Sequence, residues 1–458
     1  MNMNRIKPLL PGAVLMLLLS FQPICSSAQN GSPDSQILNL SLQEAINMAM
    51  EENFSIEQAE YDVEKTRAQY RQTNAVFLPQ LSFEYNAIST DDPLNVFGFK
   101  LKQESVTQQD FNPALLNDPD AFENYSAKFE VRQPLFNPDM IAQRSAVKSQ
   151  LNSVSEQLQG TRNYTQFQVR QQYYNLVLHF GQLDVLNAAL QTAREHVRQA
   201  ANYFEQGLLS KEQYLAAKVY ELDMESRVLQ TENNLENVQE QLALMLGLDG
   251  SVSLQPTEEL TYVPAPELPS DLSEIEVNNA QTRAIGYRVE AAQKMVRSAG
   301  FSFLPSLNLF GSYEFNDRDF AGLDASSYMI GANLRWNIFT GFSKAGKVME
   351  AKSDYRKAQS MQEMHQLDQE NRVREATRSI NQAMKELELT EESIDQSEEN
   401  VKIRTNRHEE GLEKTTDLLE AETKLAEARL KKVMALYKYN MSIAALEMLL
   451  EEEIIQND

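Results

Sequence analysis

Four short stretches of the chain alternate between apolar and polar side chains. Leu81, Phe83, Tyr85 and Ala87 are interleaved with Ser82, Glu84 and Asn86, and Tyr125, Ala127, Phe129 and Val131 with Ser126, Lys128, Glu130 and Arg132. Further on, Leu307, Leu309, Gly311, Tyr313 and Phe315 alternate with Asn308, Ser312 and Glu314. Tyr328, Ile330, Ala332, Leu334, Trp336 and Ile338 alternate with Gly331, Asn333, Arg335 and Asn337. A period of two places alternate side chains on opposite faces, so each stretch predicts a strand with one apolar and one polar face. Strands of about ten residues with this pattern build membrane β-barrels. An ordinary half-buried antiparallel sheet alternates in the same way. Aromatic residues near the strand ends (Phe77, Tyr85, Tyr328, Trp336) favour the lipid setting. The segments joining the members of each pair, roughly 91–123 with Pro93, Pro113 and Pro119, and roughly 316–326, read as polar loops facing outside the cell.

Between the strand pairs the period becomes helical. Ser41 and Glu44 form a capping box, followed by an apolar stripe of Leu42, Ala45, Ile46, Ala49, Ile56, Ala59 and Val63. A similar box at Ser273–Glu276 predicts the start of a second such helix. Each should stop before Pro79 or Pro305, because the residue preceding proline is pushed out of the helical region. From about Pro138 to Gln206, and from about Ser343 to Glu410, proline is absent and only Gly160, Gly181 and Gly346 interrupt. At 1.5 Å per residue each segment reaches roughly 100 Å. Recurrent alanines, among them Ala188, Ala193, Ala200, Ala358, Ala376 and Ala383, suit close helix approach. Gly207 and Gly411 fit the left-handed position that ends a helix. Ser210 with Gln213 opens a return helix as a second capping box, and Thr415 or Thr416 could open its counterpart. The return helices reach only about Leu246 and Leu450, so the helices from Ser41 and Ser273 must stack end to end on them.

These landmarks come in matched pairs. Phe77-Leu78-Pro79-Gln80-Leu81 is answered by Phe303-Leu304-Pro305-Ser306-Leu307, and the strand end at Phe136 by Phe339-Thr340-Gly341. Glu205-Gln206-Gly207-Leu208 is answered by Glu409-Glu410-Gly411-Leu412, and Tyr214-Leu215-Ala216-Ala217 by Leu418-Leu419-Glu420-Ala421. Four matches in the same order indicate an internal duplication. The resulting division is 29–246 for the first repeat, 247–272 for a proline- and acid-rich equatorial linker, 273–450 for the second repeat and 451–458 for an acidic tail. Residues 1–28 read as a secretory signal, with Arg5 and Lys7 before the apolar run Leu9–Phe21 and small residues up to Ala28. Lipidation at Cys25 is the rival reading, against which Ile24 stands where a small residue is wanted.

Charge and chemistry narrow the function. The chain carries 42 basic and 66 acidic residues, a net of −24. That balance excludes nucleic acid and anionic lipid surfaces as natural partners and suits a solvated surface or a cation-preferring lumen. The only cysteine is Cys25, and His179, His196, His365 and His408 show no paired ligand spacing. No catalytic, metal or cofactor site is expected, and among the 17 methionines Met441, Met448 and similar positions sit at helical core spacing, which reads as packing. Four strands cannot close a barrel, and open sheet edges are not tolerated in hydrocarbon. Several chains must therefore share one barrel if the strands lie in lipid; three copies would supply about twelve strands. The competing class is a secreted coiled-coil scaffold without a pore, in which the strands would be soluble.

Taken together, the Leu-Pro-x-Leu segments at Leu78 and Leu304, the strand ends at Phe136, Phe339 and Gly341, and the two tips resemble the TolC-like outer-membrane efflux proteins over essentially the whole mature chain. The resemblance implies a mainly α homotrimer with a twelve-stranded membrane barrel above a periplasmic helical tunnel. It implies an exit duct of the outer membrane, working with a periplasmic adaptor protein and an inner-membrane pump. Acids on the second hairpin of that family form a ring at the periplasmic mouth; Asp417 and Glu420 hold those places here. Their i, i+3 spacing puts both on one helix face. Glu413 stands where some relatives have a basic gating residue, so the closing network must differ. Adaptor contact would fall on Gly207, Leu208, Ser210, Gly411 and Leu412.

Overall fold

The computed structural model describes residues 37–249, 252–262 and 277–452. The expected signal with Cys25, the Ser273–Glu276 box and most of the acidic tail lie outside the described residues.

Two helices open the described chain, α1 (Leu42–Glu52) and α2 (Phe54–Gln72). The Ser41 capping box forms as expected. The single helix expected across this stripe is instead broken at Asn53, whose backbone is extended at φ −75°, ψ 121°. Strand β1 (Ile37–Leu40) precedes them and pairs in parallel with β4 (Ser253–Pro256). That ladder joins the start of the first repeat to the linker. Leu40 and Leu254 are both fully buried there, and Tyr173 Oη donates to Leu40 O at 3.1 Å. The segment expected to be an equatorial linker thus contributes a core residue, Leu254, and no local pattern foretold the pairing of strands so far apart in sequence.

The four alternating stretches form one sheet in the order β2-β3-β5-β6, all antiparallel: β2 (Gln80–Thr90), β3 (Phe122–Phe136), β5 (Ser306–Asp317) and β6 (Ala325–Arg335). Pro79 and Pro305 sit directly before β2 and β5, and Phe136 is the last residue of β3. Strand β6 stops at Arg335, short of the expected Trp336–Ile338 end. Arg335 pairs with Ser306, and the next rung would fall on Pro305, which has no N–H to donate. Trp336 turns instead and gives its indole N–H to Phe303 O at 3.0 Å. The second connection is a turn. The first is not a plain loop: it contains α3 (Pro93–Lys102), a short 3-10 turn and α4 (Pro113–Asn117). Pro93 and Pro113 start these helices behind the caps Asp92 and Asn112, because proline lacks only an N–H that the first turn leaves unused.

Each strand pair feeds a long helix and a shorter return: α5 (Pro138–Glu205, 68 residues) with α6 (Lys211–Met245, 35), and α8 (Ser343–Glu409, 67) with α9 (Thr415–Leu450, 36). Helix α7 (Ala280–Phe301) lies against both α5 and α8. No helix among the described residues is long and apolar enough to cross a membrane.

The end-to-end stacking has a specific joint. Asn53 donates through Nδ2 to Met245 O, at the end of α6, at 3.1 Å, while its Oδ1 accepts from Ser55 N at 2.9 Å. Asn279 repeats the arrangement, donating to Leu449 O at 3.1 Å and accepting from Thr282 N at 2.9 Å. One amide thus satisfies a last-turn carbonyl of one helix and a first-turn amide of the next, the two groups that helix ends leave unpaired.

Candidate channel wall and helix tips

The two faces of the sheet differ as the alternation predicts. Leu81, Phe83, Phe129, Tyr328, Ile330 and Leu334 are all exposed on one face of this single chain. The other is a polar trough with Gln80, Lys128, Glu130, Arg132, Glu314 and Arg335 among its lining residues. Arg132 and Lys128 both pair with Glu130 there. Aromatic groups gather at both ends of the apolar face. At the loop end Phe320 packs edge-on against Tyr85 at 5.9 Å and Tyr125 at 5.8 Å, and Ala321 N donates to Tyr85 Oη at 2.9 Å. At the helix end Phe77, Phe303, Trp336, Phe339 and Phe342 are exposed together. Gly341 (φ 58°) and Phe342 (φ 64°) take left-handed backbone there to turn the chain into α8. Eleven residues of strand at about 3.4 Å each, tilted as in a barrel, span roughly the height of a bilayer's apolar core. The outer strands β2 and β6 each keep one unpaired edge.

The opposite end of the molecule carries the two tips. At each, a left-handed glycine (Gly207 at φ 72°, Gly411 at φ 74°) closes a Schellman pattern. Leu208 N donates to Tyr203 O and Leu412 N to Arg407 O, both at 2.8 Å. The leucines then project into solvent, Leu208 at 71% and Leu412 at 66% exposure. Ser210 forms the expected box with Gln213. In the second tip neither Thr415 nor Thr416 caps; Lys414 takes that position without a side-chain bond, and Thr415 Oγ1 lies 3.1 Å from His408 Nε2 instead.

Asp417 stands in the first turn of α9, with Glu420 one turn on. Glu420 is exposed and bonded by Lys424 Nζ at 2.7 Å, which holds its carboxyl below the usual range. Two residues that sequence reasoning missed, Arg404 and Arg407, are close by. Glu413, only 12% exposed, accepts from Arg404 Nη1 at 2.6 Å and Arg407 Nε at 2.7 Å. This clamp ties the loop back onto α8, with one acid held by two arginines. The first tip has no equivalent. There Phe204 and Tyr214 stack at 5.7 Å, nearly parallel at 8°. Between the hairpins, His196 and Glu422 face each other at 3.8 Å, and burial pushes the neighbouring Tyr220 up to about 12. The arginine spacing before Gly411 was the one available signal for the clamp, but acids are so common here that it did not stand out. Among the described residues no cluster of His, Cys, Asp or Glu is placed to hold a metal ion.

A family model described as outer membrane efflux protein matches residues 45–248 and 272–451. No curated protein matches by sequence. Solved structures of similar fold include the outer membrane protein VceC of Vibrio cholerae, 20% identical over 90% of this chain and 97% of that one, TM-score 0.75. The CmeC outer membrane channel of Campylobacter jejuni is 18% identical over 91% and 87%, TM-score 0.77. The MtrE outer membrane channel of Neisseria gonorrhoeae, solved in an open state, is 17% identical over 93% and 94%, TM-score 0.75.

Proposed function

The chain belongs to the outer membrane efflux protein family, and from that premise we propose that three copies form an outer-membrane exit duct for a tripartite efflux or secretion system. The observation that carries this reading is the four-stranded sheet, apolar on one face, polar on the other and open at both edges. An exposed apolar face of this size has no stable partner in water but a natural one in lipid. Edge β6 of one copy then pairs with edge β2 of the next, and three sheets close a barrel of about twelve strands around the polar trough. The same observation weighs against a pore-free scaffold, in which both the face and the edges would lie bare.

The helices continue the duct into the periplasm, and their tips form its mouth. Asp417 and Glu420, repeated around a threefold axis, gather six carboxylates there and favour cations at the constriction. The clamp from Glu413 to Arg404 and Arg407 holds the loop that leads into the helix carrying them. Leu208 and Leu412, with Gly207, Ser210 and Gly411, offer a solvent-facing apolar knob at each tip for a periplasmic adaptor, which links the duct to an inner-membrane pump.

Purified outer-membrane material tests the reading. The expected result is a heat-modifiable trimer that inserts into planar bilayers as discrete channels. A soluble, elongated monomer that never inserts would overturn it.

A further inference from the structure

The segment between β2 and β3 is a folded unit with a place to sit. Lys100 Nζ pairs with Asp110 at 2.6 Å and Thr107 bonds the same carboxylate; the Lys100 bond first, and then Thr107, hold it down at about 2. Phe97 and Phe111 pack edge-on at 5.8 Å, and Val96 is buried. The unit then docks on the sheet. Lys102 Nζ reaches Glu314 Oε1 at 2.9 Å, and Gln103 Nε2 donates to Asn124 Oδ1 at 2.9 Å. Asn124 in turn bonds Asn316 across the strands at 3.1 Å.

The side of the sheet it occupies is decisive. Lys128 is registered with Glu314, and Ser126 with Asn316. Phe122, Asn124, Ser126 and Asn316 therefore share the face of Lys128, Glu130 and Glu314, the polar trough. Asn124 at 2% and Asn316 at 1% exposure are buried, although one face of an isolated sheet should be open to water. Along β3 the burial fades away from the docked segment: Phe122, Asn124 and Ser126 are buried, Lys128 and Glu130 half-buried, Arg132 exposed. A cavity of about 670 Å³ remains between the segment and the strand ends, which leaves room for it to shift.

We propose that residues 93–120 form a lid on the lumenal side of the barrel's outer mouth, latched by the Lys102–Glu314 pair, so that the duct carries a second constriction at its exit. This rests on the channel reading, which makes the trough the lumen. Three lids converging from the wall would narrow the exit to bulky solutes, and the pair that latches each one is only partly shielded from water, so it can release.

The test uses whole cells. Cys25 is the only native cysteine, so the unsubstituted protein is the blank for a reporter at Ser312→Cys, on the trough face beneath the lid. A bulky, membrane-impermeant polymer maleimide is added outside. Slow labelling is expected, rising roughly fivefold with Lys102→Glu. It should rise further when residues 93–120 are replaced by a short Gly-Ser linker, and fall back in the swap Lys102→Glu with Glu314→Lys. Labelling unchanged by Lys102→Glu and by lid removal overturns the lid while leaving the channel intact. A reporter at Tyr313→Cys, on the opposite face, distinguishes the deeper failure. If it labels from water as readily as Ser312→Cys, the trough is not a lumen and the channel reading falls as well.

Discussion

Replacing Glu413 by glutamine probes the second tip with the least change of shape. The carboxylate is nearly buried and accepts from Arg404 at 2.6 Å and Arg407 at 2.7 Å. Charge-assisted hydrogen bonds contribute about 1.5–3 kcal/mol when shielded, and exposed ion pairs at most about 1 kcal/mol. Arg404 is 34% and Arg407 57% exposed, so the first bond belongs near the lower end of the shielded range and the second with the exposed pairs. Glutamine retains one neutral acceptor, which leaves a net loss of about 1–2 kcal/mol. The tip loop should then open roughly tenfold more often. Hydrogen exchange reads this at the amides of Gly411, Leu412 and Leu418, bonded to His408 O, Arg407 O and Lys414 O. The amides of Gly207 and Leu208 serve as the internal control, since the first tip is closed by stacked rings. Exchange unchanged at the second tip, or raised equally at both, would refute the clamp.

The remaining expectations concern the mouth, the joints and pH. Asp417→Ala with Glu420→Ala should raise single-channel conductance in planar bilayers and weaken block by divalent cations; unchanged values count against the carboxylate ring. Asn279→Ala removes a cap and strands a buried carbonyl, costing about 2–4 kcal/mol by local exchange or denaturant unfolding. Asn53→Ala, at a more open joint, should cost less, and an equal or larger loss there would contradict burial as the source of the difference. Burial holds His408, His179 and His365 below their ordinary value of 6.5, and for His408 the neighbouring His196 adds to the effect. The unfolded chain therefore binds more protons than the folded one as pH falls through 6.5. Stability should be greatest above that value and decline on acidification towards the lowered folded values. Melting profiles between neutral and mildly acidic pH check this, and a flat profile that turns sloped in His408→Gln would contradict it.

Local signals carried the elements whose causes are local. The period of two around Phe83 and Tyr313 marked strands, because side-chain alternation follows from backbone pleat alone. Gly207 and Gly411 marked helix ends because left-handed backbone is open to glycine at no steric cost. The capping boxes at Ser41 and Ser210 are i, i+3 contacts and read the same way in sequence as in space. Proline misled where its two roles diverge: Pro93 and Pro113 looked like loop breakers and are first residues of helices.

What only the tertiary structure decided are the contacts that span long stretches of chain. The strand order that sets β3 beside β5, the pairing of β1 with β4, the Asn53 and Asn279 joints and the seat of the lid on Glu314 each join residues that no periodicity relates. Glu413 is the instructive intermediate. Its partners lie only 9 and 6 residues away, yet a left-handed glycine stands between them. The sequence alone determined that the chain reverses at Gly411; only the path of that reversal decided that an acid after it would meet two arginines before it.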